Sequence, residues 1–316
     1  MTEPMLPPDA VPSARSRDLV RGAYDLHVHI APDVMERRIT DVGLARRFVD
    51  LGLAGFVLKS HYVPTAERAS AVNEAVPGCH AVGAISLNAS VGGLNPIAVE
   101  IAAREGAKVV WLPTVDAANH RATGRDLPPD AVRPMWLALQ DDLRERGLEV
   151  PPVDVLAADG GVRPEARAVL DLIAEHDLVL ATGHLARDEI FAVTKAAVDA
   201  GVTRIVITHP EFPQQALDVA DQQALVGMGA VLERCLTTPM TGKFPWPAMV
   251  DNIRATGIDH TVITTDLGQP HNPPVEDGLA LMADALLAAD FSEPEIRRMI
   301  VMNSRALMGA TTEGPT

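Results

Sequence analysis

Short apolar runs rich in β-branched residues recur along the chain, and each is followed by a stretch with helical spacing. Runs at about 23–30, 55–61, 79–88, 107–114, 178–184, 204–209, 230–236 and 260–266 predict strands. Stretches at about 41–51, 65–76, 95–105, 187–200, 215–226, 247–256, 276–290 and 293–308 predict helices, two of them stopped by Gly52 and Gly106. Strands that are apolar along their whole length belong to a parallel sheet covered on both faces. Eight such strand–helix units predict an α/β chain closed into a (β/α)8 TIM barrel. A doubly wound open sheet is the alternative, but no Gly-x-Gly-x-x-Gly follows the first strand.

One connection breaks the rhythm. Residues 115–177, between strands four and five, exceed a single crossover helix. They read as a polar loop (Asn119 to Asp130), a helix at about 131–146, a small hairpin or extended turn at 153–162, and a second helix at about 164–176. Excursions of this kind shape the mouth of a barrel, so 115–177 is a lid candidate; a tolerated surface insertion or oligomer contact is the alternative. The expected organisation is an N-terminal arm (1–20), one barrel domain (21–309) and a tail (310–316).

Composition narrows the partners. The formal charge of −15 lacks the basic patch that nucleic acid or an anionic membrane surface calls for. Aromatic residues are scarce, at 3%, so Ala, Val, Leu and Ile must fill the core. Cys79 and Cys235 form neither a disulfide framework nor a zinc ribbon. The N-terminus shows no apolar signal core, and no window of about 18 apolar residues predicts a membrane span. The expected setting is soluble and cytoplasmic, with a small-molecule substrate and the option of a homo-oligomer to which the arm contributes.

Candidate chemistry lies at the strand ends. His27 and His29 leave one face of strand one side by side, which suits a metal ion. Lys59 and His61 end strand two with the same spacing. His184 ends strand five, His209 strand six and Asp266 strand eight. Period-two alternation groups His184 with Leu178 and Leu180, His209 with Ile205 and Ile207, and Asp266 with Val262 and Thr264. Barrel enzymes carry their catalytic groups at these carboxyl ends.

This order of residues resembles the metal-dependent amidohydrolase superfamily over roughly residues 20–309: His-x-His on strand one, His on strands five and six, Asp on strand eight. The tail Asn303-Ser304-Arg305-Ala306-Leu307-Met308-Gly309 is similar to the Asn-x-x-x-Leu-x-Gly ending of many members. Val57-Leu58-Lys59-Ser60-His61-Tyr62 is similar to an uncharacterised bacterial branch. The resemblance implies one or two divalent ions, zinc first, held by His27, His29, His184, His209 and Asp266. It implies that Asp266 moves the proton between the nucleophilic water and the leaving group. His209 would hold a second ion or stabilise the oxyanion.

The common two-metal pattern has a bridging Lys or Glu at the end of strand four, where this chain has Trp111-Leu112-Pro113-Thr114. Lys59 is the well-placed lysine, and as a carbamate it would supply two hard oxygens. The alternatives are an unmodified Lys59 bound to a substrate carboxylate or a nearby acid, or His61 as ligand. His61, Tyr62, Asn88, Trp111, Glu233 and His271 are substrate-binding candidates, whereas His80, His120, His176 and His260 read as surface or structural. Residues 237–246 form either a pocket wall or a rigid loop.

Three functions follow. The first is a hydrolase that uses metal-activated water on a C–N bond (amide or cyclic amide) or a C–O bond (lactone or ester). The second is a mononuclear decarboxylase or hydratase of the same superfamily. The third is a metal-binding barrel without turnover.

Overall fold

The computed structural model describes residues 5, 6, 10–125 and 135–310. Parts of the predicted arm (1–4, 7–9), of the polar loop and following helix (126–134) and of the tail (311–316) lie outside the described residues. The strands are β1 (Tyr24–Val28), β2 (Gly55–Leu58), β3 (His80–Ser86), β4 (Ala107–Trp111), β5 (Val179–Ala181), β6 (Arg204–Ile207), β7 (Val231–Cys235) and β8 (Thr261–Thr264). They lie side by side in chain order, and each neighbouring pair is parallel. Helices fill the connections, so the fold is the expected (β/α)8 barrel.

The seam between β8 and β1 is narrow. A parallel bridge joins Val28 to Leu267. The Asp266 N–H donates to the His27 carbonyl, and the His29 N–H donates to the Leu267 carbonyl, each at 2.8 Å. The residues that close the barrel are thus neighbours of the chemistry.

Alternate strand residues build two separate layers. Tyr24, Leu26, Val57, Val82, Ala84, Val109, Val179, Val206 and Val262 pack as one cluster that fills the barrel interior. The intervening residues, among them Val28, Phe56, Val110, Leu180, Ile205 and Ile207, pack outward against the helices. This corrects the alternation read from the sequence. Leu180, Ile205 and Ile207 face the helix layer and do not share a face with His184 and His209.

Local chemistry explains the helix boundaries. Thr40 caps the helix Asp41–Leu51 by accepting from the Gly43 N–H at 3.1 Å, and Gly52 ends it with φ 70°. The predicted last helix is three pieces: Glu293–Arg297, a wide turn over Arg298–Met302, and Asn303–Leu307. Asn303 of the tail motif donates to the carbonyls of Ile258 (2.9 Å) and Thr261 (2.6 Å), pinning the start of β8. The arm folds back on its own barrel: Ser13 donates to Asp284 at 2.6 Å and Arg17 pairs with Asp277 at 2.9 Å.

The insertion differs in detail from its prediction. Ala118–Arg125 is a helix rather than a loop, and Met135–Glu145 is a second. Residues 153–162 hold a single antiparallel bridge, Leu156 to Val162, which fits the extended turn of the two forms expected there. Pro164–Glu175 buries Val169, Leu170 and Ile173 in the helix layer, so it is the crossover helix and not part of a lid. No helix among the described residues is long and apolar enough to cross a membrane.

Candidate metal centre

At the carboxyl ends of the strands, five imidazoles stand in a closed ring. Successive centroids are 5.4 Å (His27–His29), 4.8 Å (His29–His61), 5.9 Å (His61–His184), 5.0 Å (His184–His209) and 6.1 Å (His209–His27) apart. His27 lies within β1, whereas the strands stop one to three residues short of the other four, so loop geometry aims those.

Three devices aim the groups around the ring. In β1 the pairing with β2 shifts register between Asp25 and Val28, which is how Leu26 and His27 can both face inward. Before His184 the chain turns at Gly183 (φ 64°), where a Cβ would sit 2.4 Å from the Leu112 carbonyl oxygen. His209 (φ 28°) and Asp266 (φ 54°) themselves adopt positive φ, which costs non-glycine residues roughly 1–3 kcal/mol and clusters at functional sites.

Three donor atoms converge beside the ring. Asp266 Oδ1 lies 3.1 Å from His27 Nε2 and 3.2 Å from His29 Nε2. Its other oxygen accepts from the Thr237 hydroxyl at 3.0 Å. Glu233 Oε1 lies 3.1 Å from His27 Nδ1, so the Nδ1–H tautomer is favoured and the Nε2 lone pair faces Asp266. Burial lowers the His29 pKa to about 3 and holds His61, His184 and His209 well below the usual value. Burial opposes ionisation of Asp266, but His27 and His29 beside it hold its carboxyl well below the ordinary carboxylate range.

His27 behaves differently. Burial and Lys59 oppose its protonation, yet Glu233 and Asp266 outweigh them and raise its pKa. The centre therefore favours one positive charge at His27 Nε2, a place that a proton or a metal ion can take. Two ring nitrogens, His29 Nδ1 and His209 Nδ1, are buried without a hydrogen-bond partner; the His29 nitrogen is not the one that faces Asp266, so an ion at the trio leaves it unpaired. Two neutral imidazoles and one carboxylate fit a divalent cation such as zinc.

A second trio, His27, Glu233 and Cys235, also lies within ligand range. Burial keeps the Cys235 thiol protonated, and metal binding requires the thiolate, so this group is the poorer fit. Among the described residues, His184 and His209 join neither trio. Lys59 Nζ lies 2.8 Å from His27 Nε2 and 5.2 Å above the Trp111 ring, and burial lowers its pKa.

The centre opens into a cavity of about 490 Å³ lined by His29, Lys59, His61, His184, His209 and Asp266, with exposed His271 on its wall. The other substrate candidates sit elsewhere. Asn88 spends its amide on the His61 carbonyl, the Thr114 hydroxyl and the N–H groups of Thr114 and Asp116, so it shapes a loop. Trp111 packs under Lys59 and His27, and Glu233 orients His27. Tyr62 packs edge-on against His61, with ring centroids 6.1 Å apart, and borders a separate cavity of about 780 Å³ between residues 89–94 and the insertion.

Several wall residues escaped the sequence reading. His120, read as surface or structural, is buried with its Nδ1 3.1 Å from His184 Nδ1 and its ring 4.3 Å from Trp136. Both come from the insertion, which thus forms one wall of the cavity. Arg37, Phe212 and Lys243 complete other walls. Arg37 follows the His-x-His strand by only eight residues, but nothing in its local pattern separates it from a surface arginine.

Comparison with solved structures finds the same fold in many chains. The probable dipeptidase PvdM from Pseudomonas aeruginosa is 12% identical, with TM-score 0.57, covering 93% of this chain and 96% of that one. An amidohydrolase from Pseudomonas aeruginosa is 11% identical, with TM-score 0.56 and coverage of 96% and 100%. The organophosphorus hydrolase from Deinococcus radiodurans is 14% identical, with TM-score 0.54 and coverage of 94% and 98%. At these identities the likeness is one of fold, the (β/α)8 barrel. Comparison with curated protein sequences finds no match. A family model matches residues 22–233, about two thirds of the chain, and the protein belongs to that family, DUF6282, a family of unknown function.

Proposed function

We propose that the protein is a metal-dependent hydrolase acting on a C–N or C–O bond of a small molecule. The convergence of His27 Nε2, His29 Nε2 and Asp266 Oδ1 at the floor of the cavity carries this reading. His27, His29 and Asp266 would hold one divalent ion, zinc by donor type. Such an ion supplies Lewis acidity toward a carbonyl oxygen and brings the pKa of a coordinated water to about 7.

The chain's own groups do the rest. Asp266, kept ionised by its imidazole neighbours and steadied by Thr237, takes the proton of the attacking water and returns it to the leaving group. Glu233 fixes the His27 tautomer. His209 stands beside His27 and His184, placed to donate to the oxyanion that forms as the carbonyl is attacked. Burial lowers the Lys59 pKa, which favours the neutral amine that carbamate formation requires. Its carbamate would bring a second ion into reach of His184 and His209.

One observation favours a second reading. The residue at the strand-four end, Thr114, is bonded to His61 and Asn88 and offers no acid to a second ion. A single-ion decarboxylase or hydratase accommodates that directly.

Elemental analysis of the purified protein, paired with Asp266→Asn, tests the proposal. The expected result is at least one equivalent of zinc or a similar ion in the native chain, with amide or lactone hydrolysis abolished in the variant. Undiminished hydrolysis in the variant overturns the assignment. Incubation with ¹³C-labelled CO2 followed by carbon NMR reads the Lys59 carbamate directly.

A further inference from the structure

Arg37 stands on the wall of the histidine-lined cavity. Its side chain is only 5% exposed, although it lies on a loop and lines the cavity. Asp33, equally hidden, accepts from Arg37 Nε at 2.7 Å and fixes the plane of the guanidinium. Arg37 Nη2 is buried and has no hydrogen-bond partner. A buried guanidinium N–H left unmade is costly, so a site that keeps one is built for a visitor that completes it.

Lys243 lines the same cavity from another loop, exposed at the rim, with its ammonium 4.1 Å from the centroid of the Phe212 ring. The acidic groups on the cavity wall are Asp266, which the imidazoles engage, and Glu36, which is exposed. A chain of formal charge −15 has thus placed arginine and lysine around the mouth of its one strongly histidine-lined cavity among the described residues.

We propose that the substrate carries a carboxylate, seated on Arg37 Nη2, with Lys243 drawing it in from the rim. This names the substrate class of the hydrolase proposed above and rests on that use of the cavity. Asp33 already offsets the Arg37 charge, and on the wall Lys243 is matched by Glu36, so the subsite at Arg37 Nη2 suits one negative charge and not a phosphate dianion. The volume of about 490 Å³ admits a metabolite-sized acid with its scissile bond over the histidines.

The test compares benzoate with benzamide, the uncharged isostere, and with inorganic phosphate, by calorimetry on the metal-loaded full-length protein. Benzoate is expected to bind at least about tenfold more tightly than the other two. Arg37→Met is expected to weaken benzoate at least about tenfold, and Lys243→Ala to slow its association, most visibly at low salt. Because Arg37→Met strands a buried Asp33, Asp33→Asn combined with Arg37→Met serves as the folded control and is expected to show the same loss. Equal binding of benzoate and benzamide overturns the inference, as does unchanged benzoate affinity in both Arg37 variants or tighter binding of phosphate. Hydrolysis of neutral amides by a chain that ignores benzoate would overturn this inference alone and leave the hydrolase reading standing.

Discussion

Asp266 and His27 touch twice: the Asp266 N–H donates to the His27 carbonyl at 2.8 Å, and the carboxylate oxygen Oδ1 stands 3.1 Å from His27 Nε2. The backbone contact that closes the barrel and the side-chain contact that begins the centre are made by the same pair. Geometry at the seam is therefore geometry of the site, and small changes there have predictable effects.

Gly268 sits two residues beyond Asp266 with φ 138°, and a Cβ there would lie 1.6 Å from the His29 carbonyl oxygen. No side-chain rotation relieves a clash with backbone. Gly268→Ala is expected to destabilise the fold by about 3 kcal/mol or more and to displace His29. Denaturant unfolding and metal content measure both, and a variant with native values for each contradicts the closure geometry.

Glu233 holds His27 by its Nδ1 from beneath the cavity and also accepts from Thr264 at 3.1 Å. Removing such an orienting partner typically lowers metal affinity 10–100-fold. Glu233→Ala should lose that much in a competition with a chelator while its circular dichroism stays native. A direct substrate contact would instead change KM without changing metal affinity.

Asp25 is fully buried, and burial raises its carboxyl from 3.8 to about 7 against the opposing hydrogen bonds from Thr265 and the His27 N–H. Between those values the folded chain binds a proton that the unfolded chain has released. Stability from this group is therefore complete below about pH 3.8 and falls as pH rises towards 7, at up to about 1.4 kcal/mol per pH unit. Asp25→Asn should flatten that slope. Thermal midpoints between pH 5 and 7.5 are expected to shift in favour of the variant as pH rises, and parallel curves would refute the assignment.

Arg234 and Glu211 form an ion pair with both side chains fully buried, outside the barrel interior. Arg234 also donates to Gln222 at 2.8 Å, and Asn252 donates to Glu211 at 3.2 Å. Arg234→Met leaves a buried carboxylate uncompensated and is expected to cost about 3–5 kcal/mol. Adding Glu211→Gln should recover part of that loss. Simple additivity of the two changes in urea melts would show that the pair is uncoupled.

The fold was legible because the strands are mostly apolar and each is bounded by a turn-forming residue. His27, His29, Lys59 and Asp266 were legible as a set because they end strands at like positions. The directions of His184 and His209 were not. Plain alternation puts them with Leu180 and Ile207, and only a glycine turn and a positive-φ histidine bring them inward. His120 and Arg37 were invisible for a different reason. Their roles come from where the insertion and the β1 loop fold back, and a sequence carries that information in long-range packing rather than in local pattern.

The seam between β8 and β1 also sets a schedule. His27 and His29 leave the ribosome early, but Asp266 follows about 240 residues later. A nascent chain complete through β7 has both imidazoles of the trio, with Glu233 to orient His27, but not the trio's carboxylate. The third donor arrives only when the last strand docks, so the finished barrel, and not any intermediate on the way to it, assembles the trio.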